Sequence, residues 1–115
     1  RLQVHLDIPE VLAHQQLPAF TLQPIVENAI KHGTSQLMDV GEITLRASQQ
    51  DRHLVLDIED NAGLYQPGAQ SSGLGMSLVD KRLRKRFGDE CGIAVACEPD
   101  RFTRVTLRLP LEESA

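Results

Sequence analysis

Tryptophan is absent from this chain, and Phe20, Tyr65, Phe87 and Phe102 are its only aromatic residues. A platform on which single-stranded nucleic acid stacks needs several exposed rings, so the shortage argues against that class. It also means that the core must be aliphatic, built from Leu, Ile, Val and Ala. Surplus positive charge is absent as well. Twelve Lys and Arg against sixteen Asp and Glu leave a net charge of −4, which argues against a surface that tracks phosphates across the whole domain. No apolar run approaches the roughly 18 residues of a membrane-spanning helix, and there is no signal-peptide pattern. The two cysteines, Cys91 and Cys97, fall in one predicted strand. At about 3.3 Å per residue they lie roughly 20 Å apart, beyond disulfide reach. They share the parity of Ile93 and Val95 and read as inward-facing apolar fillers; free thiols suit a reducing compartment. His5, His14, His32 and His53 are scattered, and neither cysteine stands near one at ligand spacing. The first residue is Arg1 and not Met, which predicts a piece of a longer protein.

What is present fits one domain over residues 1–115, long enough to bury a core without staples. Leu2, Val4, Leu6 and Ile8 alternate with polar residues, predicting a half-buried strand closed by Pro9. Leu22, Ile25, Val26, Ala29 and Ile30 follow helical spacing, with Gly33 as the expected C-cap. Two alternating runs follow, Ile43 to Ala47 and Leu54 to Ile58, and the polar link Gln49-Gln50-Asp51-Arg52 predicts a hairpin between them. Gly63, Pro67, Gly68 and Gly73 predict an irregular loop over 61–73. A second helix is expected from about Leu74 to Phe87, with Met76, Val79, Leu83 and Phe87 on one side. Strands from Cys91 to Cys97 and from Val105 to Leu109 complete the chain. Each element has one apolar face. The expected fold is α+β, a two-layer sandwich of a mainly antiparallel sheet with helices on one side.

Four constellations could carry chemistry. On the first helix, Glu27, Asn28, Lys31 and His32 fall outside the apolar stripe as i/i+4 pairs. Oxygen donors beside an ammonium suit a Mg²⁺–phosphate complex, although the same pattern describes a solvated face with a Glu27–Lys31 pair. Asp60-Asn61-Ala62-Gly63 places a carboxylate at a strand end, where it could accept from a ligand amine or form a plain Asx turn. Ser71-Ser72-Gly73-Leu74-Gly75-Met76 feeds a helix start able to receive an anion, or is a connector. It is not a Walker A loop. The basic run Lys81-Arg82-Leu83-Arg84-Lys85-Arg86 could meet phosphates, but cations in a last turn also complement the helix dipole.

The order of these features resembles a Bergerat-type (GHKL) ATP-binding domain. More closely, residues 22–33, Leu-Gln-Pro-Ile-Val-Glu-Asn-Ala-Ile-Lys-His-Gly, resemble the N box of the LytS/YehU branch of sensor histidine kinases. Residues 73–83, Gly-Leu-Gly-Met-Ser-Leu-Val-Asp-Lys-Arg-Leu, resemble that family's second glycine box. The resemblance covers about residues 1–110. It implies a Bergerat-type mixed, mainly antiparallel sheet and a cofactor set of ATP and Mg²⁺. By its pattern Asn28 holds the Mg²⁺ that bridges the phosphates, Lys31 contacts a phosphate, and His32 borders the nucleotide. Asp60 accepts from the adenine amino group, with Thr103 near the base. Gly63, Gly73, Leu74 and Gly75 belong to a phosphate-covering lid spanning about residues 62–74, and Glu27 polarises the reaction. Two departures stand out. The family's Asp-x-Gly-x-Gly has Ala62 and Leu64 at its glycine positions, and Pro24 stands where relatives carry an acidic or amide residue.

The resemblance further implies an upstream dimerisation and phosphoacceptor domain, a homodimeric parent in a bacterial plasma membrane, a cytoplasmic setting for this domain, and a response regulator as downstream partner. Residues 1–115 are then expected to bind ATP without autophosphorylating, and no nucleic-acid partner is expected. Two other readings stay open on sequence grounds: an anti-sigma-factor type serine kinase, and a non-catalytic nucleotide-sensing or scaffold module.

Overall fold

The computed structural model describes residues 1–17, 21–66 and 70–111, with the backbone alone over 70–74. Its strands are β1 (Leu2–Asp7), β2 (Gly41–Gln50), β3 (His53–Asp60), β4 (Gly92–Glu98) and β5 (Phe102–Pro110). Its helices are α1 (Gln23–Lys31), between β1 and β2, and α2 (Gln70–Phe87), between β3 and β4. The sheet order is β1-β2-β3-β5-β4. β1 runs parallel to β2, and the other three pairings are antiparallel. The parallel pair is the one joined through a helix, as a crossover requires.

Alternation sets the layers. Ile43 and Ala47 of β2, Leu54 and Ile58 of β3, and Val105, Leu107 and Leu109 of β5 form one core with Ile25 and Ala29 of α1 and with Met76, Val79 and Leu83 of α2. The intervening strand residues form the opposite face, where Glu59 accepts from Arg104 Nε at 2.8 Å and Thr106 donates to Asp57 Oδ1 at 2.7 Å. Hence the helices share one side of the sheet, the expected α+β sandwich. Two turns are tight. Asp51, φ +54°, turns β2 into β3, and Asp100, φ +63°, turns β4 into β5; aspartate is among the few residues that tolerate this region. Cys91 is buried and Cys97 half-buried, and both are free thiols. Among the described residues no helix is long and apolar enough to cross a membrane.

Three expectations change. β1 is not half-buried: all six of its residues are exposed, with Val4 at 56% and Leu6 at 68%. It is an edge strand with one neighbour, and the helices pack over β3, β5 and the opposite edge, β4, instead. Secondly, α1 ends on His32, whose N–H donates to Asn28 O, so Gly33 is not the C-cap. Thirdly, α2 starts at Gln70, four residues before Leu74. Gln and Ser accept helical geometry readily, and one glycine in a helix costs only about 1 kcal/mol. Residues 70–73 are therefore helical instead of irregular, and the part of the expected loop at 67–69 lies outside the described residues.

Burial predicts a contrast in stability. Ile43 is 1% exposed, and shortening it by a methyl in Ile43→Val is expected to cost about 1 kcal/mol in urea unfolding. Leu6→Ser, on the exposed edge, is expected to change stability by less than ~0.5 kcal/mol. A loss at Leu6 as large as at Ile43 would contradict the exposed edge.

Candidate functional site

Pro24 lies in the first turn of α1, where its missing N–H and fixed φ cost nothing. From there the helix buries Ile25 and Ala29 against the sheet. Its polar residues take the remaining arc, and part of that arc faces α2. Pro24, Glu27, Asn28, Lys31 and His32 line a cavity of about 180 Å³ together with Gly75 and Met76 of α2. The structure thus brings five predicted site residues, Glu27, Asn28, Lys31, His32 and Gly75, around one space. Among the described residues no ion pair joins Glu27 to Lys31; Glu27 accepts instead from Gln23 Nε2 at 2.9 Å. Within the described residues no hydrogen bond or ion pair engages the side chains of Asn28, Lys31 or His32, whereas the Lys31 carbonyl accepts from Ser35 Oγ and Gln36 Nε2; the three side-chain polar groups are available to a ligand.

Asp60 closes β3 as a buried carboxylate, 6% exposed. Its Oδ1 accepts the N–H of Ala62 at 2.9 Å and of Gly63 at 3.2 Å. The backbone of Thr103, its partner across the β3–β5 ladder, bonds to it as well. Burial pushes the Asp60 pKa above its ordinary value, and these three backbone hydrogen bonds act against that rise, as does not its acidic neighbour Glu59, which adds to it. The Thr103 hydroxyl donates to Cys97 Sγ at 3.5 Å, so Asp60, Thr103 and Cys97 form a row across three adjacent strands.

Gly33 joins the two groups. A Cβ there would collide with Ala29 O and stand 3.1 Å from Asp60 Oδ2. Only glycine lets the end of α1 come this close to the aspartate, a role that its helix-ending position in the sequence concealed. Asn61 is the other residue that sequence reasoning passed over. It reads as a turn former, yet its side chain spans to β2: Oδ1 accepts from Glu42 N at 2.8 Å and Nδ2 donates to Val40 O at 3.0 Å.

Other expected site residues are placed differently. Gly63 has φ +64°, and a Cβ on it would lie 2.5–2.7 Å from backbone atoms of Glu98, Asp100 and Arg101. It packs against the β4–β5 turn, and its N–H serves Asp60. Ala62 is 2% exposed and is absent from the positive-φ residues, as is Leu64. A side chain at either position is therefore unstrained, and the left-handed conformation of this segment falls on Gly63. Gly73 and Leu74 are helical, one turn inside α2 and not at its start. Gly75 lies beside Pro24, with ordinary van der Waals room at 3.4 Å for a methyl. Of the basic run, Arg84 is taken up by Asp80 at 3.0 Å and by the Asp89 carbonyl at 2.9 Å, and Arg86 stacks on Phe87.

The donor set also limits what metal the site can hold. Among the described residues no three His, Cys, Asp or Glu side chains gather as a cage. Asn28 oxygen, with the Glu27 carboxylate on the same cavity, fits a Mg²⁺ that arrives with phosphate oxygens completing its shell, which is how that ion is commonly held.

Comparison with known proteins gives a consistent result. Residues 14–113 match the family described as histidine kinase-, DNA gyrase B-, and HSP90-like ATPase. The chain is similar to sensor histidine kinase BtsS of Escherichia coli, 68% identical over 115 residues, all of this chain and 20% of that protein. It is also similar to sensor histidine kinase YesM of Bacillus subtilis, 27% identical over 96% of this chain and 20% of that protein. The chain thus spans about a fifth of the length of these curated relatives. Among solved structures, a mycobacterial sensor histidine kinase, MprB, superposes with a TM-score of 0.69 at 16% identity, covering 98% of this chain and 86% of that one. The histidine kinase domain of a blue-light activated kinase from Erythrobacter litoralis superposes at 0.68 and 21% identity, covering 96% and 52%. At these identities the structural likeness shows the fold.

Proposed function

Because the chain belongs to the histidine kinase-, DNA gyrase B-, and HSP90-like ATPase family, we propose that residues 1–115 form the single ATP-binding catalytic domain of a sensor histidine kinase of the LytS/YehU kind. The observation that carries this reading is the cavity between α1 and α2, where the side-chain polar groups of Asn28, Lys31 and His32 have no partner among the described residues. The parent would be a homodimeric bacterial membrane protein, with this domain on the cytoplasmic side. The 68% identity to a sensor histidine kinase favours it over the serine-kinase and scaffold alternatives.

In this reading the adenine lies by Asp60 and Thr103, where buried acceptors select for an amino group. The phosphates enter the α1–α2 cavity, where Lys31 supplies a cation and Asn28 an oxygen ligand for Mg²⁺. The metal, when bound, neutralises charge on the phosphates. His32 borders the nucleotide, and Gly73, Leu74 and Gly75 cover the phosphate side. Glu27 is the available carboxylate for polarising the attacking group, and its bond to Gln23 holds it on the α1 surface. The acceptor is a histidine of an upstream dimerisation domain, whose ring nitrogen forms the new N–P bond as the bond to ADP breaks. A response regulator then receives the phosphoryl group. The protein's own work is positioning and charge compensation, since phosphoryl transfer asks for little covalent chemistry from it.

Titrating ATP into wild type and Asn28→Ala, each with Mg²⁺ and with chelator, tests the reading. Wild type is expected to bind more tightly with Mg²⁺. Asn28→Ala is expected to lose about ten-fold in affinity with Mg²⁺ and little without it, the size of one lost charge-assisted contact. Absence of ATP binding by wild type under either condition would refute the proposal.

A further inference from the structure

We propose that Asn61 is a positioning residue for the base-recognising carboxylate: its side-chain amide ties the segment 60–63 to β2 and thereby aims Asp60. This rests on the reading of Asp60 as the adenine acceptor.

Asn61 follows β3 directly, where the β2–β3 ladder ends. Its backbone N–H donates to Glu42 O at 3.2 Å, so the main chain already makes one bond to β2 at this point. The side chain adds two more. Its oxygen takes the Glu42 N–H at 2.8 Å and its amine reaches the Val40 carbonyl at 3.0 Å. Both polar atoms of the amide are thus bonded to the backbone at the start of β2. Glu42 N and Val40 O flank Gly41, the first residue of β2, so the amide completes the sheet at a place where strand pairing alone stops.

The other end of the segment is fixed independently. Gly63 O accepts from Asp100 N at 3.1 Å, and a Cβ on Gly63 would fall within 2.5–2.7 Å of backbone atoms of the β4–β5 turn. Between these two anchors, the N–H groups of Ala62 and Gly63 point back at Asp60 Oδ1. The arrangement is a short span held at both ends with the carboxylate bonded in its middle. With Asn61 released, one end can swing, and the two N–H bonds that fix the carboxylate rotamer weaken together. A free rotamer costs affinity because a buried acceptor gives specificity only in the right direction.

The experiment compares wild type, Asn61→Ala and Asn61→Ser by Mg²⁺-ATP titration, thermal melting and amide proton shifts of Ala62 and Gly63. The serine variant, too short to reach both backbone partners, serves if alanine prevents folding. The expected result is an affinity loss of about ten-fold, the worth of one well-aimed buried hydrogen bond. The Ala62 and Gly63 amide protons are expected to move upfield as they lose the carboxylate, with melting within a few degrees of wild type. Unchanged affinity would overturn the proposal. So would weaker binding with unmoved amide shifts, because Asn61 would then act by some route other than Asp60. If wild type itself fails to bind ATP, the proposed function fails, and the amide shifts still decide whether Asn61 holds the Asp60 loop.

Discussion

Asp60→Asn is expected to lower ATP affinity by about 100-fold while leaving the fold as stable at neutral pH, or more stable. The loss follows from donor and acceptor count. Asparagine's oxygen can keep the bonds from Ala62 and Gly63, but its other terminal atom becomes an NH₂. In the proposed pose a donor then faces the donor amino group of adenine, and an unmade buried bond to a charged group is worth about 2–3 kcal/mol, or roughly two orders of magnitude in binding. The stability result follows from burial, which raises the Asp60 pKa above 3.8 in the folded chain. A raised carboxyl pKa means that the folded state binds its proton more tightly than the unfolded state. Its contribution to stability is therefore full below the unfolded value and is lost as pH rises through the folded one. At neutral pH the wild type bears the cost of a buried charge that asparagine does not. Melting curves of the two proteins should differ most near neutrality and converge as pH falls through the carboxylate range. A variant that binds ATP like wild type would remove Asp60 from the base site.

How far the sequence carries depends on whether a residue's role is written in its own spacing. Ile43, Ile58 and Leu107 are legible as core because period-two alternation fixes which face each occupies. The sheet's composition follows from five such runs. β1 shows the limit: Leu2, Val4 and Leu6 alternate as well as any strand, but alternation marks an apolar face without saying whether anything covers it. The grouping of Asn28, Lys31 and His32 was readable from helical spacing, while the cavity they line depends on where α2 begins. Gly73 and Gly75 look like loop residues and hide that start, whereas helical propensity penalises a glycine by only about 1 kcal/mol. Asn61 and Gly33 were hidden for a different reason. Each acts on backbone distant in sequence, Asn61 on Val40 and Glu42 and Gly33 on Asp60, and no local pattern encodes such contacts.

Gly63→Ala is expected to destabilise the fold by about 2–4 kcal/mol. The family resemblance places Gly63 in a phosphate-covering lid. Its surroundings add a constraint on the fold itself. The φ of +64° alone costs a non-glycine residue about 1 kcal/mol or more. A methyl would also stand 2.5 Å from Glu98 O, 2.6 Å from Arg101 N and 2.7 Å from Asp100 N. All three are backbone atoms of one tight turn, so no side chain can rotate away to make room. Either the turn between β4 and β5 shifts or the segment after Asp60 does, and overpacking of this kind adds about 1–3 kcal/mol. The bond from Asp100 N to Gly63 O lies in the same contact and would lengthen with it. Urea unfolding of the apoprotein measures the effect without nucleotide. Ala62→Gly is the informative partner, since Ala62 has an ordinary φ and is buried; restoring glycine there should give no gain and a loss of about 1 kcal/mol from the extra freedom of the unfolded chain. A Gly63→Ala protein as stable as wild type would show that the turn yields freely, and the close approach would then carry no constraint on Asp60.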